Sequence, residues 1–189
     1  MPTIRPCQPG DHENLRHVCA ETGPGAARVA GPVRTTILTS YCDYYAECEP
    51  HNCFVVADEA DEAVGYIFCA EDYGKYYERF RRDYLPRLKG LSARHRLECW
   101  SSAWFPRFFR KKYPAHLHID ILEPYQRMGL GTRLMDALTA LLRSKGVRGV
   151  MLGVGAGNVK GRSFYKKYGF REVMKLPGVV VMGLTLNEK

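Results

Sequence analysis

The spacing of hydrophobic residues along the chain predicts alternating helices and strands. The strongest signal is a set of leucines at helical spacing, which predicts a helix over residues 129–145 that ends before Gly146. Other helices are predicted after the Pro9-Gly10-Asp11 turn, with Asp11 as N-cap, and over residues 35–45 and 160–168. Runs rich in β-branched and aromatic residues predict strands over residues 3–5, 53–57, 63–70, 117–122, 147–154, 170–175 and 179–186.

The connections between these elements predict a mixed sheet in an α/β fold. The acidic link at residues 58–62 joins two strands and favours an antiparallel hairpin. The strand over 117–122 is followed by the long helix and the strand over 147–154. This tight crossover indicates one parallel pair in an otherwise antiparallel sheet. Residues 23–31, which include three glycines and a proline, are expected to form a loop.

Length and composition narrow the class of protein. A chain of 189 residues with 46% hydrophobic and 25% charged residues is typical of one globular domain, so a single domain over residues 1–189 is expected. No apolar run is long enough for a membrane span and the first ten residues do not resemble a signal peptide, which favours a cytoplasmic protein. The seven cysteines include no C-x-x-C pair and no zinc-site spacing, so we expect free thiols and no metal.

The positive charge is concentrated in one insertion between two predicted strands, at residues 73–113. From Lys75 to Lys112, twelve lysines and arginines stand against three acids, a local net charge of +9 in a chain whose total is +8. The insertion also holds eleven of the 22 aromatic residues. Such a segment could bind a nucleic acid, line a pocket for an acidic substrate, or help to hold the phosphates of a ligand. It could also cover the core with its aromatic side chains inward and its charges in water.

A glycine-rich turn lies where the long helix is predicted to begin. In Gln126-Arg-Met-Gly-Leu-Gly-Thr132 the glycines allow several backbone N–H groups to point to one place. Such a nest at a helix N-terminus is suited to a pyrophosphate. Other phosphate motifs are excluded, because no G-x-x-x-x-G-K-[ST] loop occurs and Gly153-Val-Gly-Ala-Gly157 lacks the third glycine of a dinucleotide fingerprint.

With the segment Asn158-Val-Lys-Gly-Arg-Ser-Phe-Tyr165-Lys-Lys-Tyr-Gly-Phe170 one strand later, this loop resembles the GNAT superfamily of acyl-CoA-dependent N-acetyltransferases. The resemblance is strong over residues 117–172. The PAHLHIDIL segment at residues 114–122 and the final LPGVVVM segment more closely resemble the acetyltransferase-like domain of O-GlcNAcase and its microbial single-domain relatives. The resemblance implies the GNAT fold, a mostly antiparallel central sheet with a splayed parallel pair and helices on both faces.

The resemblance also implies a binding site for acetyl-CoA. Backbone groups near Ile121 and Leu122 would hold the pantetheine and the thioester carbonyl, and Asn158 would hydrogen-bond the pantetheine arm. Tyr165 matches the tyrosine that donates a proton to the departing sulfur, although its other interpretation is a core aromatic residue beside Phe164. The pyrophosphate would bind the loop residues Gln126, Arg127, Met128, Gly129, Leu130, Gly131 and Thr132.

The general base has several candidates on one strand. His116, His118 and Asp120 share one face of the predicted strand, which is unusual for a strand that is covered on both sides. Asp120 matches the strand aspartate of the closer family and is the first choice as base or as the group that positions the amine. Either histidine or a water molecule is an alternative, and so is a buried Asp–His pair with only a structural role.

The resemblance implies an enzyme that transfers an acetyl group from acetyl-CoA to an amine. Direct attack in a ternary complex is expected, because no cysteine stands in a nucleophile arrangement. The alternative is a non-catalytic module that binds CoA, a protein or a nucleic acid. The sequence does not identify the acceptor, a small molecule or a protein lysine. The insertion is expected to wall the acceptor pocket, with Trp100, Trp104 or Tyr77 near the acetyl group. A nucleic acid is the less expected partner, no membrane is expected, and the chain is expected to be a monomer or homodimer.

Overall fold

The computed structural model describes residues 1–186, which form one seven-stranded sheet with helices on both faces. The sheet order is β1-β2-β3-β4-β5-β7-β6, and every neighbouring pair is antiparallel except β4 and β5. The α/β mixed sheet predicted from the sequence is therefore confirmed. The strands are β1 (Thr3–Pro6), β2 (Phe54–Ala57), β3 (Ala63–Ala70), β4 (Ala115–Ile121), β5 (Gly149–Gly155), β6 (Arg171–Leu176) and β7 (Val179–Thr185).

The helices follow the apolar periodicity, with differences at their ends. The segment predicted as a helix over 35–45 is longer, because α2 begins at Pro32, where a proline fits the first helical turn, and continues through a π-helical turn, Thr39–Asp43, into α3. None of the helices within residues 1–186 is long and apolar enough to cross a membrane. They are α1 (His12–Thr22), α2 (Pro32–Leu38), α3 (Tyr44–Cys48), α4 (Tyr73–Arg79), α5 (Ala93–Trp104), α6 (Leu130–Ser144) and α7 (Val159–Tyr168).

Asp11 precedes helix α1, but its side chain does not cap the helix as predicted. Its two carboxylate oxygens instead accept hydrogen bonds from the guanidinium of Arg5, each at 2.8 Å, and one of them also accepts from the backbone N–H of Gln8 at 2.7 Å. A bidentate pair with an arginine has two hydrogen bonds between charged groups, whereas an N-cap bond has one, to a neutral backbone N–H. The carboxylate therefore ties strand β1 to the start of α1.

The core is divided by the sheet into two layers of different composition. The first, the tyrosine layer, lies under α1 to α5 and is built around the buried side chains Tyr44, Tyr45, Tyr66, Phe68, Tyr76, Phe80 and Tyr84. The second, the aliphatic layer, lies under α6 and is built around Leu117, Leu130, Leu134, Leu138, Leu142, Val150 and Leu152. Strand β4 contributes to both layers, because successive side chains of a strand point to opposite faces.

The insertion at residues 73–113 is mostly helical. Helix α4 runs into a π-helical turn, Phe80–Tyr84, and a further helix, α5, follows. Tyr76 and Phe80 are buried in the tyrosine layer. At the C-terminal end of the insertion, by contrast, Trp100 and Phe108 are exposed, so the aromatic residues do not all point inward.

Candidate functional site

Strands β4 and β5 separate soon after they begin to pair. Their parallel register holds only at Ala115 opposite Val150 and at His116 opposite Met151, although both strands continue for several residues. A parallel pair that parts in this way leaves backbone N–H and C=O groups without a partner strand. A gap that can take a polar, extended ligand therefore opens in the middle of the sheet.

The register of β4 decides which backbone groups face this gap. The N–H of Leu122 donates to the carbonyl of Val64 in β3 at 3.0 Å, so the N–H and C=O groups of Ile121 and Ile119 point the other way, toward β5. The carbonyl of Ile121 accepts a hydrogen bond from the Nε2 of Gln126 at 2.8 Å. The gap is therefore lined by the backbone of Ile119 and by the N–H of Ile121.

The prediction of free backbone groups near Leu122 is wrong. Besides the N–H that is bonded to β3, its carbonyl accepts from the N–H of Tyr125 at 2.9 Å, because the chain turns through a short 3-10 segment, Glu123–Tyr125, immediately after β4. Ile121 keeps its predicted place at the gap. The side-chain amide of Gln126 is therefore hydrogen-bonded to the end of β4 and stabilises the fold there.

The glycine-rich loop forms the nest that its sequence predicts. Arg127 and Gly129 both have left-handed backbones, with φ of 63° and 76°, and α6 begins at the next residue, Leu130. The backbone N–H groups of residues 127–132 donate to no other group within residues 1–186. A β-carbon on Gly129 would meet no atom within 4 Å, so the space above the loop is open. Unpaired donors at the start of a 15-residue helix suit an anion.

The side chains of this loop divide between core and solvent. Leu130 is buried in the aliphatic layer, whereas Met128 is exposed. Gly131 lies against α7, since a β-carbon there would come within 3.3 Å of the Phe164 ring and 4.0 Å of Ile121. The loop, the end of β4 and helix α7 are therefore packed together around the gap.

Asn158 and Tyr165 lie on helix α7 at this side of the sheet. The Oδ1 of Asn158 accepts a hydrogen bond from the N–H of Gly161 at 2.8 Å, so Asn158 caps helix α7. Only ligand binding was predicted for Asn158 from the sequence. The ring of Tyr165 packs against Phe164 and Phe170, with ring centroids 5.3 and 5.8 Å away. Its hydroxyl has no hydrogen-bond partner among the described residues. Burial, and secondly the charge of Asp120, raise the pKa of Tyr165 above its ordinary value, so the hydroxyl stays protonated near neutral pH.

Asp120 is held by a tyrosine rather than by a histidine. Its Oδ2 accepts from the hydroxyl of Tyr66 on the paired position of β3, at 2.8 Å. Burial raises the pKa of Asp120 to about 6, against the lowering effect of the Tyr66 hydrogen bond. The alternative of a buried Asp–His pair is therefore wrong. A carboxylate with this pKa is ionised at neutral pH and still able to accept a proton.

His116 and His118 share a single hydroxyl. The hydroxyl of Tyr45 lies 2.8 Å from Nε2 of His116 and 3.1 Å from Nε2 of His118, and we call these residues the Tyr45–His116–His118 array. Burial lowers the pKa of His116 to about 3, with a further contribution from His118, and lowers that of His118 to about 4. Both rings are therefore neutral near pH 7 and poorly suited to hold a proton as a general base.

A cavity of about 550 Å³, the β4–β5 cavity, lies beside the point where the strands part. The array lines it, together with four residues of β5 and four at the β6–β7 turn, which are Met151, Leu152, Gly153, Gly155, Leu176, Gly178, Val179 and Val181. The insertion contributes Tyr76, Ser101, Ser102, Phe105 and Pro106. It therefore walls the cavity, but with these residues and not with Trp100, Trp104 or Tyr77. The stacked rings of Trp100 and Trp104, with centroids 5.3 Å apart, lie outside the lining of the cavity.

Sequence reasoning missed Tyr45 and Tyr66, which position the polar residues of β4. Tyr66 could have been found, because an antiparallel pairing of β3 with β4 places it opposite Asp120. Nothing local identifies Tyr45, which is 71 residues from His116 in the chain.

Comparison with known proteins agrees with this geometry. Residues 26–170 match the family model described as acetyltransferase (GNAT) family. The fold is similar to that of SsHAT, with a TM-score of 0.85, 28% identity, and 99% of each chain covered. It is also similar to PH1933 from Pyrococcus horikoshii OT3, with a TM-score of 0.66, 18% identity and full coverage of both chains. A third similar fold is that of PaiA N-acetyltransferase from Thermoplasma acidophilum in complex with coenzyme A, with a TM-score of 0.61 and 16% identity over 98% of this chain and 99% of that one.

Proposed function

The chain belongs to the acetyltransferase (GNAT) family, and from this premise we propose that it transfers the acetyl group of acetyl-CoA to an amine by direct attack in a ternary complex. The observation that carries the proposal is the loop of residues 127–132, whose backbone N–H groups are unpaired within the described chain at the start of a long helix, next to the gap between β4 and β5. An anion and an extended chain attached to it would find complementary groups at these two adjoining places.

The groups proposed to bind acetyl-CoA are mostly those without a hydrogen-bond partner among the described residues. The N–H groups of residues 127–132 would bind the pyrophosphate, and Arg127 and Arg133 would add positive charge. The N–H of Ile121 and the backbone of Ile119 would bind the pantetheine and the acetyl carbonyl. Asn158 would use its amide nitrogen for the pantetheine, because its oxygen is already engaged in capping α7. Acetyl-CoA supplies the reactive thioester.

Two side chains of the described chain have the chemistry that acetyl transfer needs. An amine must be deprotonated to attack, and the carboxylate of Asp120, with its pKa of about 6, would accept that proton directly or through a water molecule. The leaving sulfur needs a proton, and the hydroxyl of Tyr165 is unpartnered and kept protonated by burial. The histidines of the array would instead position the acceptor, since both rings stay neutral near pH 7 and do not take up a second proton.

The cysteines support direct attack. Burial raises the pKa of Cys7 and of Cys99 to about 11, and raises those of Cys53 and Cys69 above the ordinary thiol value. The pKa of Cys42 is raised by its hydrogen bond with Cys19 and secondly by burial. A thiol in such surroundings is not a nucleophile, because the reactive species is the thiolate. An acetyl-enzyme intermediate on one of these residues is not proposed.

To test this proposal, acetyl-CoA is incubated with the protein and a panel of primary amines. The CoA released is measured by chromatography. We expect release that depends on the amine, and initial-rate plots that intersect, as a ternary complex requires. Parallel plots would contradict direct attack. Binding of acetyl-CoA with no release for any amine would contradict catalysis and favour a non-catalytic binding module.

A further inference from the structure

The walls of the β4–β5 cavity are mostly apolar, and their polar side chains are uncharged near pH 7. None of the residues within 1–186 that line it is an aspartate, glutamate, lysine or arginine. This is notable because the adjoining insertion has a net charge of +9, yet it presents only the uncharged residues Tyr76, Ser101, Ser102, Phe105 and Pro106 to the cavity. The polar groups that remain are hydroxyls and the two neutral imidazoles. A ligand here meets hydrogen-bonding groups and apolar surface.

The array can bond a ligand only through uncharged groups. The hydroxyl of Tyr45 has one hydrogen, so it donates to one Nε2 and accepts from the other, and the two rings carry their protons on different nitrogens. The Nδ1 of His116 is buried and has no hydrogen-bond partner among the described residues. A buried polar atom without a partner is costly, and a bound ligand or water that reaches it would remove that cost.

The rings of Tyr45 and Tyr76 do not form a box for a cation. The Tyr45 ring stacks on Phe68 with an interplanar angle of 3°. It also stacks on Tyr76 with an interplanar angle of 20°. The Tyr76 ring in turn meets His116 edge to face at 4.4 Å. A cation is held over an open ring face. These faces are covered by neighbouring side chains, so they do not compensate for a missing carboxylate.

We propose that the β4–β5 cavity holds the body of the acceptor amine, and that this body is uncharged and carries a hydroxyl, carbonyl or amide group that hydrogen-bonds the Tyr45–His116–His118 array. The proposal rests on the acetyltransferase function proposed above and names its substrate class. A volume of about 550 Å³ is in the range of sites for small molecules. A second ammonium group or a carboxylate on the acceptor would lose water there without gaining a partner. Diamines, polyamines and free amino acids are therefore poor acceptors.

Three compounds with the same reactive amine and the same five-carbon chain test this proposal: aminopentanol, diaminopentane and aminopentanoate. They end in a hydroxyl, an ammonium and a carboxylate. Binding to the CoA-loaded protein is measured by saturation-transfer NMR. We expect aminopentanol to bind at least about tenfold more tightly than either charged compound. Equal binding of a charged compound, or no binding of aminopentanol, would overturn the proposal.

A second experiment adds the charge that the cavity lacks. Ser102 lines the cavity, half-buried, and its hydroxyl donates only to the carbonyl of Cys99 one turn earlier. Ser102→Asp should shift binding toward diaminopentane by about tenfold or more, whereas the neutral, equally sized Ser102→Asn should not. The same shift in both variants, or in neither, would overturn the proposal. CoA release is followed in parallel, so that a bound amine without transfer counts against the proposed function and not against the chemistry of the cavity.

Discussion

The two faces of strand β4 differ in chemistry although they belong to the same seven residues. Leu117, Ile119 and Ile121 point into the aliphatic layer under α6, where stabilisation comes from apolar area removed from water. The alternate residues point into the tyrosine layer, where each polar group depends on one hydroxyl from a distant part of the chain. The comparison teaches that one strand can anchor the fold with one face and present ionisable groups beside a cavity with the other.

The largest effect is expected on the aliphatic face. Leu138 is fully buried, and Leu138→Ala should lower the free energy of unfolding by about 2–5 kcal/mol, because it removes apolar contacts and leaves a cavity. Denaturant unfolding followed by circular dichroism measures this loss. The matched variant in the tyrosine layer is Tyr45→Phe, which removes a hydroxyl and keeps the ring. It should lower the free energy of unfolding by about 1–3 kcal/mol. A larger loss in Tyr45→Phe would contradict the division of roles.

The next effect separates activity from stability within helix α7. Tyr165→Phe removes a hydroxyl without a partner in the described chain, so kcat should fall by about 10²-fold with little change in unfolding free energy. The control is Tyr168→Phe, which loses hydrogen bonds to Asp136 at 2.8 Å and Thr139 at 3.0 Å. This control should lose about 0.5–1.5 kcal/mol of stability and keep its kcat. The reverse pattern in steady-state kinetics and thermal unfolding would show that Tyr165 is a core residue only.

The two layers also differ in how far the sequence predicts them. Helix α6 and its end at Gly146 are predicted because apolar spacing and a left-handed glycine, with φ of 71°, are local features. The loop before α6 is predicted for the same reason. The partners of Asp120 and of the histidines are not, because Tyr66 and Tyr45 meet them only after the sheet and helices have packed. The error at Leu122 arose because a short turn after β4 occupies backbone groups that its place in the sequence suggested were free.

Mild acid should lower the free energy of unfolding through the two histidines of the tyrosine layer. The pKa values of His116 and His118 are about 3 and 4 in the folded chain, below the unfolded value of about 6.5. Their contribution to stability is therefore fully present above pH 6.5 and lost as the pH falls. Between pH 6.5 and 5 we expect a loss of about 1 kcal/mol per pH unit for each histidine, measured by denaturant unfolding. A His118→Gln variant should lack one histidine's share of this loss, while the opposite contribution of Asp120 over the same range is common to both proteins. An equal slope in the two proteins would contradict the assignment.

The smallest effect has the opposite sign and concerns Asp120. Its folded pKa of about 6 lies above the unfolded value of about 3.8, so it stabilises the fold below pH 3.8 and this contribution is lost as the pH rises through 6. Asp120→Asn should therefore raise the unfolding free energy at pH 8, by on the order of 1 kcal/mol, and much less at pH 4. In the same variant kcat/KM should no longer rise with pH near 6. A rise that persists would assign the base to another group.

The central claim is that the loop of residues 127–132 binds acetyl-CoA, and two glycines at opposite ends of α6 test it most directly. Gly129 and Gly146 both have left-handed backbones, with φ of 76° and 71°, and a β-carbon on either would meet no atom within 4 Å. Gly129→Ala and Gly146→Ala should therefore strain the fold to a similar extent. Isothermal calorimetry with acetyl-CoA should show at least tenfold weaker binding for Gly129→Ala and unchanged binding for Gly146→Ala. Equal affinity in the two variants, or no binding by the unmodified protein, would contradict the claim.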